Sequence, residues 1–152
     1  MFIKRHRERF PDARRPFESD YPVNILAQLT SAAANPDNSL EDLTTDALAE
    51  LAEQGRVSDA VIAKNQAEAD EMWARRDTAA ELALSQQPAF STDVAVPVGR
   101  IAEFLDRAEA RVGAIDPETQ TVWVAHLGDG NVHYSMRLSR DDSGLKLSLI
   151  HI

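Results

Sequence analysis

The 152-residue sequence contains no cysteine, and this absence excludes several kinds of protein at once. Without thiols the chain forms no disulfide, has no thiolate nucleophile and builds no cysteine-based zinc site. It also has no apolar run of bilayer-spanning length and no signal-peptide pattern, so we predict no transmembrane segment. The expected compartment is the cytoplasm.

Basic residues are scarce beyond the start of the chain. The formal net charge is −9, and residues 1–16 hold six Lys/Arg against two acidic residues, so the remainder carries −13. An acidic body repels phosphate backbones, and we therefore predict no nucleic-acid partner and interpret the basic arm as a solvated helix end or linker. Aromatic residues make up 6%, but 43% hydrophobic content is enough for one domain with a core.

Some segments of the chain have the two-residue hydrophobic period of strands, and others have the 3.6-residue period of helices. Apolar alternation predicts a strand at 23–30, and apolar residues predict further strands at 57–63 and 90–96, with a loop at 31–38. Helices are predicted between Ser39 and Gly55, over 66–84 after Asn65, and from Pro97 to about 113. A hairpin follows. This order predicts an α+β fold, a mainly antiparallel sheet with helices packed on one face (ferredoxin-like elements), ending in a β-hairpin.

The predicted hairpin centres on the segment His126-Leu-Gly-Asp-Gly-Asn-Val-His133. Asp-Gly between alternating apolar residues favours a two-residue type I′ turn, which would place His126 directly opposite His133. Two opposed imidazoles on one strand face are able to converge on a single metal ion. The alternative is a histidine pair that serves only packing or hydrogen bonding. The opposite face of the hairpin is apolar and is predicted to lie on the core.

An arginine interrupts an otherwise apolar stripe of the predicted helix over 66–84. Arg76 falls near one face with Met72, Trp73, Ala80 and Ala83. Because burying an unpaired guanidinium costs several kcal/mol, Arg76 needs a carboxylate partner or must extend to solvent. Two interpretations stay open here, a clamp for an anionic substrate and a salt-bridged structural residue.

These motifs carry a resemblance to a known family. The segment from His126 to His133, with Trp73-Ala-Arg-Arg76 and Asp93-Val-Ala-Val-Pro97, resembles the C-terminal domain of FAD-linked oxidases, the group of D-lactate, glycolate and D-2-hydroxyglutarate dehydrogenases. The resemblance implies a domain that covers the isoalloxazine of a separate flavin domain, so FAD is bound mainly by a domain absent here. It implies that His126 and His133 bind a divalent metal, usually Zn²⁺, and that Arg76 binds the substrate carboxylate.

Three positions depart from the pattern of the 2-hydroxyglutarate enzymes. Ala80, Ser91 and Ser135 stand where those enzymes have a threonine, a lysine and an asparagine that contact substrate. Without the lysine cation and the asparagine amide, binding of a substrate with a second carboxylate is disfavoured. We therefore expect a small 2-hydroxy acid substrate such as D-lactate or glycolate, with Arg76, Ser91 and Ser135 as candidate substrate-binding residues.

The resemblance also implies that the chain is a fragment. Residues 1–142 are expected to form an incomplete domain without the family's later glutamate ligand and histidine base, so we expect no catalytic residue here and no activity of the chain alone. The final six residues match the translated end of a transposon adapter, which predicts a non-native or disordered tail over 143–152 and excludes His151 as a ligand. A metal- or anion-binding interaction module with no redox activity is the alternative function, and a dimer is left open.

Overall fold

The computed structural model describes residues 2–31, 39–84 and 88–151. The chain divides into two compact units, residues 1–11 with 77–152 and residues 12–76. The helices are α1 (Phe2–Arg9), α2 (Leu40–Glu53), α3 (Gln66–Asp77), α4 (Ala79–Leu84), α5 (Ile101–Ile115) and α6 (Ser143–Ile150), with a 3₁₀ turn at Val98–Arg100. The strands are β1 (Ala89–Ala95), β2 (Gln120–His126) and β3 (Asn131–Arg137).

The sheet belongs to the first unit and has three antiparallel strands in the order β1-β3-β2. The central position of β3 explains why four of its seven residues are buried. The predicted α+β class with an antiparallel sheet that includes a terminal hairpin is therefore confirmed. Among the described residues, no helix combines the length and apolar character needed to cross a bilayer.

One face of the sheet forms the core with α5 and α6. Helix α5 buries a stripe at intervals of three and four residues, as expected for a helix with one apolar face. Leu145 and Leu149 of α6 and alternate residues of β3 complete the cluster. The cluster of buried side chains consists of Ile101, Leu105, Ala108, Val112, Val132, Tyr134, Met136, Leu138, Leu145 and Leu149.

Helix α4 lies against all three strands and also contacts α1. The predicted helix over 66–84 is interrupted at Thr78, which separates α3 from α4. Its predicted start is confirmed, because the side-chain oxygen of Asn65 accepts a hydrogen bond from the backbone N–H of Glu68 at 3.0 Å. The break places α3 almost entirely in the second unit and α4 in the first.

The second unit, residues 12–76, contains α2 and most of α3. Ser39 caps α2 through a capping box with Asp42, as its position predicted. The strands predicted at 23–30 and 57–63 are wrong, since both stretches are described and neither pairs with another strand. Ile25 is 71% exposed, so the alternating pattern there does not mark a buried sheet face. Most of the predicted loop at 31–38 falls on residues 32–38, outside the described residues.

Residues 143–151, part of the predicted tail, form α6 and a following turn residue. Asp142 caps this helix, accepting a hydrogen bond from the backbone N–H of Leu145 at 2.9 Å. Leu145 and Leu149 are 5% and 2% exposed. These contacts order the segment in the structure, while the predicted boundary at 142 and the non-native origin of the tail stay predictions.

Candidate metal and substrate site

The hairpin that carries the two histidines has a longer turn than the sequence predicted. His126 pairs with Asn131, so the loop contains the four residues 127–130 instead of Asp129 and Gly130 alone. A type I′ turn needs a positive φ at both central residues. Among the loop residues 127–130, only Gly130 has a positive φ, at 79°. The predicted register, with His126 directly opposite His133, is therefore wrong by two residues: His133 pairs with Val124.

A shift of two residues leaves the predicted faces unchanged, because side chains alternate with a period of two. His126, His133 and Ser135 still share one face, which we call the histidine face. From β1 it includes Ser91 and Asp93, which pair with Ser135 and His133. The opposite face holds Val132, Tyr134 and Met136 in the core, as predicted.

Gly130 fixes the turn against the end of β1. Its carbonyl oxygen accepts a hydrogen bond from the backbone N–H of Val96 at 2.9 Å. A Cβ atom at this position would lie far inside contact distance of the Val96 carbonyl oxygen, and the φ of 79° is unfavourable for residues with a side chain. No such restriction applies to Gly128, around which a Cβ would meet nothing within 4 Å.

The two imidazoles meet on the histidine face. The Nε2 atoms of His126 and His133 are 3.2 Å apart, and the rings are nearly perpendicular at 76°. The two residues are diagonal neighbours across the β2-β3 pair, a relationship that side chains of this length can bridge. The sequence-based expectation of convergence is thus met by a different register.

The other ring nitrogen of His133, Nδ1, faces a carboxylate. Asp93, directly opposite on β1, places Oδ2 3.2 Å from His133 Nδ1, and its Oδ1 accepts a hydrogen bond from Asn131 Nδ2 at 2.7 Å. In the sequence, Asp93 contributes only to the family resemblance, and no role is predicted for it. The β1-β3 pairing joins Asp93 to His133, which lies about 40 residues later in the sequence, and no local sequence pattern predicts this pairing.

The two serines proposed to contact substrate also meet. Ser91 and Ser135 are direct partners across β1 and β3, with their Oγ atoms 3.0 Å apart. Ser135 is 7% exposed and lies beside β3's His133 on the same face, two residues or about 7 Å further along the strand. The histidine face therefore carries two adjacent polar pairs, one of imidazoles and one of hydroxyls.

Arg76 lies outside the unit that contains these pairs. It is the last residue of the 12–76 unit and sits in the final turn of α3. Its role as a substrate contact stays a prediction. The side chain of Ala80, the third position that departs from the 2-hydroxyglutarate pattern, lies outside the described residues.

The donor set fits a metal ion in part. Two imidazole nitrogens that bind one tetrahedral zinc at about 2.0–2.1 Å lie roughly 3.3 Å apart, close to the separation of the two Nε2 atoms, 3.2 Å. Within the described ranges, however, no group of three or more His, Cys, Asp or Glu side chains forms a metal site. The part of the chain that the structure describes thus supplies two convergent imidazole donors, whereas a catalytic zinc commonly has three protein ligands.

The described residues thus form an α+β fold whose sheet carries polar side chains on one face. The family model for FAD linked oxidases, C-terminal domain, matches residues 6–148. The chain belongs to this family.

Named relatives agree with the family match. A D-2-hydroxyglutarate dehydrogenase of Stutzerimonas stutzeri is 31% identical over 125 residues, which cover 82% of this chain and 26% of that protein. A D-2-hydroxyglutarate dehydrogenase of Xanthomonas citri is 30% identical, over 82% of this chain and 25% of its own length. A putative mitochondrial D-lactate dehydrogenase of Schizosaccharomyces pombe is 23% identical over 93% of this chain and 28% of its own. The chain spans about a quarter of the length of these relatives.

Proposed function

We propose that this chain is the substrate- and metal-binding part of a flavin-dependent dehydrogenase that oxidises a small 2-hydroxy acid. The observation that carries the proposal is the 3.2 Å approach of the two Nε2 atoms, His126 to His133, on a face shared with two serine hydroxyls. Membership of the FAD linked oxidase family supports the flavin. The names of the relatives support a 2-hydroxy acid.

The flavin itself would be held elsewhere. The sequence has no Gly-rich phosphate-binding loop, and the relatives are about four times as long as this chain. We propose that a flavin domain of the same parent protein binds FAD and that the histidine face is turned toward it. When bound, the flavin accepts the hydride that leaves the substrate carbon.

His126 and His133 would hold a divalent ion. Zn²⁺ is the expected ion, because it is commonly bound by imidazole nitrogens. A third ligand would come from another part of the parent protein, because the described residues hold no group of three or more His, Cys, Asp or Glu side chains that could bind a metal. A bound cation of this kind lowers the pKa of a coordinated substrate hydroxyl. The role of the chain is to fix the two nitrogens before the ion arrives.

The serine pair would set the size of the substrate. Ser91 and Ser135 offer hydroxyls, which form hydrogen bonds. They provide no positive charge to pair with a second carboxylate of the substrate. From the family resemblance we also propose that Arg76 contacts the substrate carboxylate. A monocarboxylate such as D-lactate or glycolate fits the two hydroxyls better than 2-hydroxyglutarate, the dicarboxylate in the names of several relatives.

Reduction of the flavin tests the function in the intact parent protein. We expect D-lactate or glycolate to bleach the oxidised flavin absorbance under anaerobic conditions faster than 2-hydroxyglutarate at equal concentration. His126→Ala should abolish the bleaching while the yellow colour of the protein remains. A parent that reduces its flavin equally fast with His126→Ala would contradict the proposed role of the pair.

A metal- or anion-binding interaction module without redox activity is the second candidate. It is favoured by one observation, that the histidine pair and the serine pair are complete within this chain. A parent protein without bound flavin that still binds zinc through His126 and His133 would support it. The cytoplasmic location and a dimer stay predictions, and several relatives are named as mitochondrial.

A further inference from the structure

We propose that Asp93 is a positioning residue for the histidine pair. Its carboxylate holds His133 with the proton on Nδ1 and so leaves the lone pair of Nε2 directed at the point where His126 also presents its Nε2. This inference rests on the proposed function for its metal, but the positioning itself is a property of this chain alone.

The contacts give Asp93 two separate hydrogen-bond tasks. Oδ2 lies 3.2 Å from His133 Nδ1, and Oδ1 lies 2.7 Å from Asn131 Nδ2. Asn131 is fixed in turn, because its backbone N–H donates to Asp129 Oδ1 at 3.0 Å. The turn therefore orients Asn131, Asn131 orients the carboxylate, and the carboxylate orients the imidazole ring.

Strand pairing sets the backbone positions of this arrangement. Asp93 is the direct partner of His133, so the Cα positions of both are set by the β1-β3 ladder. An ionised carboxylate only accepts hydrogen bonds, so the ring atom facing it must be the donor. Nδ1 therefore carries the proton, and Nε2 of His133 becomes an acceptor for a cation or for the N–H of His126.

A hydrogen-bonded carboxylate behind a ligand histidine is a general device for fixing its tautomer and raising its basicity, and its loss weakens metal affinity by about 10–100-fold. Asp93 stands in this relation to His133. Within the pair, His133 is therefore the member that Asp93 orients.

The tautomer is measurable without any metal. Long-range ¹H–¹⁵N correlation spectra of the wild-type chain should show His133 with its proton on Nδ1. In Asp93→Ala we expect this preference to disappear and zinc affinity, measured by calorimetry, to fall by about 10–100-fold. Asp93→Val, which suits a strand, is the second variant should the alanine variant unfold. Asp106→Ala removes an exposed carboxylate from α5 and should change neither quantity.

The outcomes separate this inference from the proposed function. An unchanged His133 tautomer in Asp93→Ala overturns the positioning role, whatever the zinc affinity does. A changed tautomer with weaker zinc binding supports both. A changed tautomer in a chain whose wild type binds no zinc supports the positioning role and counts against the proposed metal site.

Discussion

The Nε2 atoms of His126 and His133 approach to 3.2 Å although the two residues are not strand partners. Their meeting depends on diagonal geometry across β2 and β3 and on the ring orientation that Asp93 imposes on His133. The register is in turn fixed by the turn before His133, where Gly130 contacts the end of β1. The stability of that turn and the chemistry of the histidine face are therefore linked.

Gly130→Ala should destabilise the chain. The substitution forces a side chain into a conformation that costs about 1–2 kcal/mol and drives its Cβ into the Val96 carbonyl. We expect the free energy of unfolding in urea to fall by at least that amount. Gly128→Ala in the same loop has open space and should change it by less than about 0.5 kcal/mol. Equal effects of the two substitutions would show that the close approach to Val96 does not matter.

Asp116 should make the chain acid-sensitive. The carboxylate accepts hydrogen bonds from Ser139 and Thr119, which lower its pKa from 3.8 to about 2. A carboxyl group whose pKa is lowered by folding stabilises the native state above its unfolded pKa, so this contribution is complete above that value and is lost as the pH falls from 3.8 toward 2.

Thermal unfolding as a function of pH tests this role of Asp116. Asp116→Asn should lower the melting temperature at pH 7 and flatten its decline between pH 5 and pH 2. Asp106→Asn, on the exposed side of α5, is the matched control and should leave the wild-type pH profile in place. A parallel profile for Asp116→Asn and wild type would exclude a contribution from the hydrogen bonds to Ser139 and Thr119.

Ser91→Lys in the parent protein should change substrate preference. It places a cation beside Ser135, where the second carboxylate of 2-hydroxyglutarate would otherwise meet only hydroxyls. A hydrogen bond to a charged group contributes about 1.5–3 kcal/mol, so the ratio of kcat/KM for 2-hydroxyglutarate to that for D-lactate should rise at least about 10-fold. Ala102→Lys adds the same charge to the exposed surface of α5 and should leave the ratio unchanged. An unaltered ratio in Ser91→Lys would remove the serine pair from the substrate site.

Arg76→Lys in the parent separates a substrate clamp from a structural arginine. Lysine keeps the charge but loses the planar fork that binds a carboxylate through two hydrogen bonds. We expect KM for the hydroxy acid to rise and kcat/KM to fall, with the melting temperature nearly constant. A lower melting temperature with unchanged kinetics would identify Arg76 as a structural residue.

Some of these features were accessible from the sequence, for definable reasons. The histidine face was predictable because strand alternation depends only on odd and even positions, which a register shift of two preserves. The register itself was not, because it depends on Gly130 meeting Val96, a contact between distant segments. The role of Asp93 depends equally on a long-range strand pairing. Local apolar pattern alone also predicted strands at 23–30 and 57–63, where no partner strand exists among the described residues.

Zinc calorimetry on this chain tests whether the histidine pair binds a metal ion. Wild type should bind one Zn²⁺, weakly because two imidazoles leave a third ligand missing. His126→Ala and His133→Ala should each abolish that binding, whereas His151→Ala, an exposed histidine outside the sheet, should retain the wild-type isotherm. Isotherms for wild type, His126→Ala and His133→Ala that cannot be distinguished would contradict a metal role for the pair.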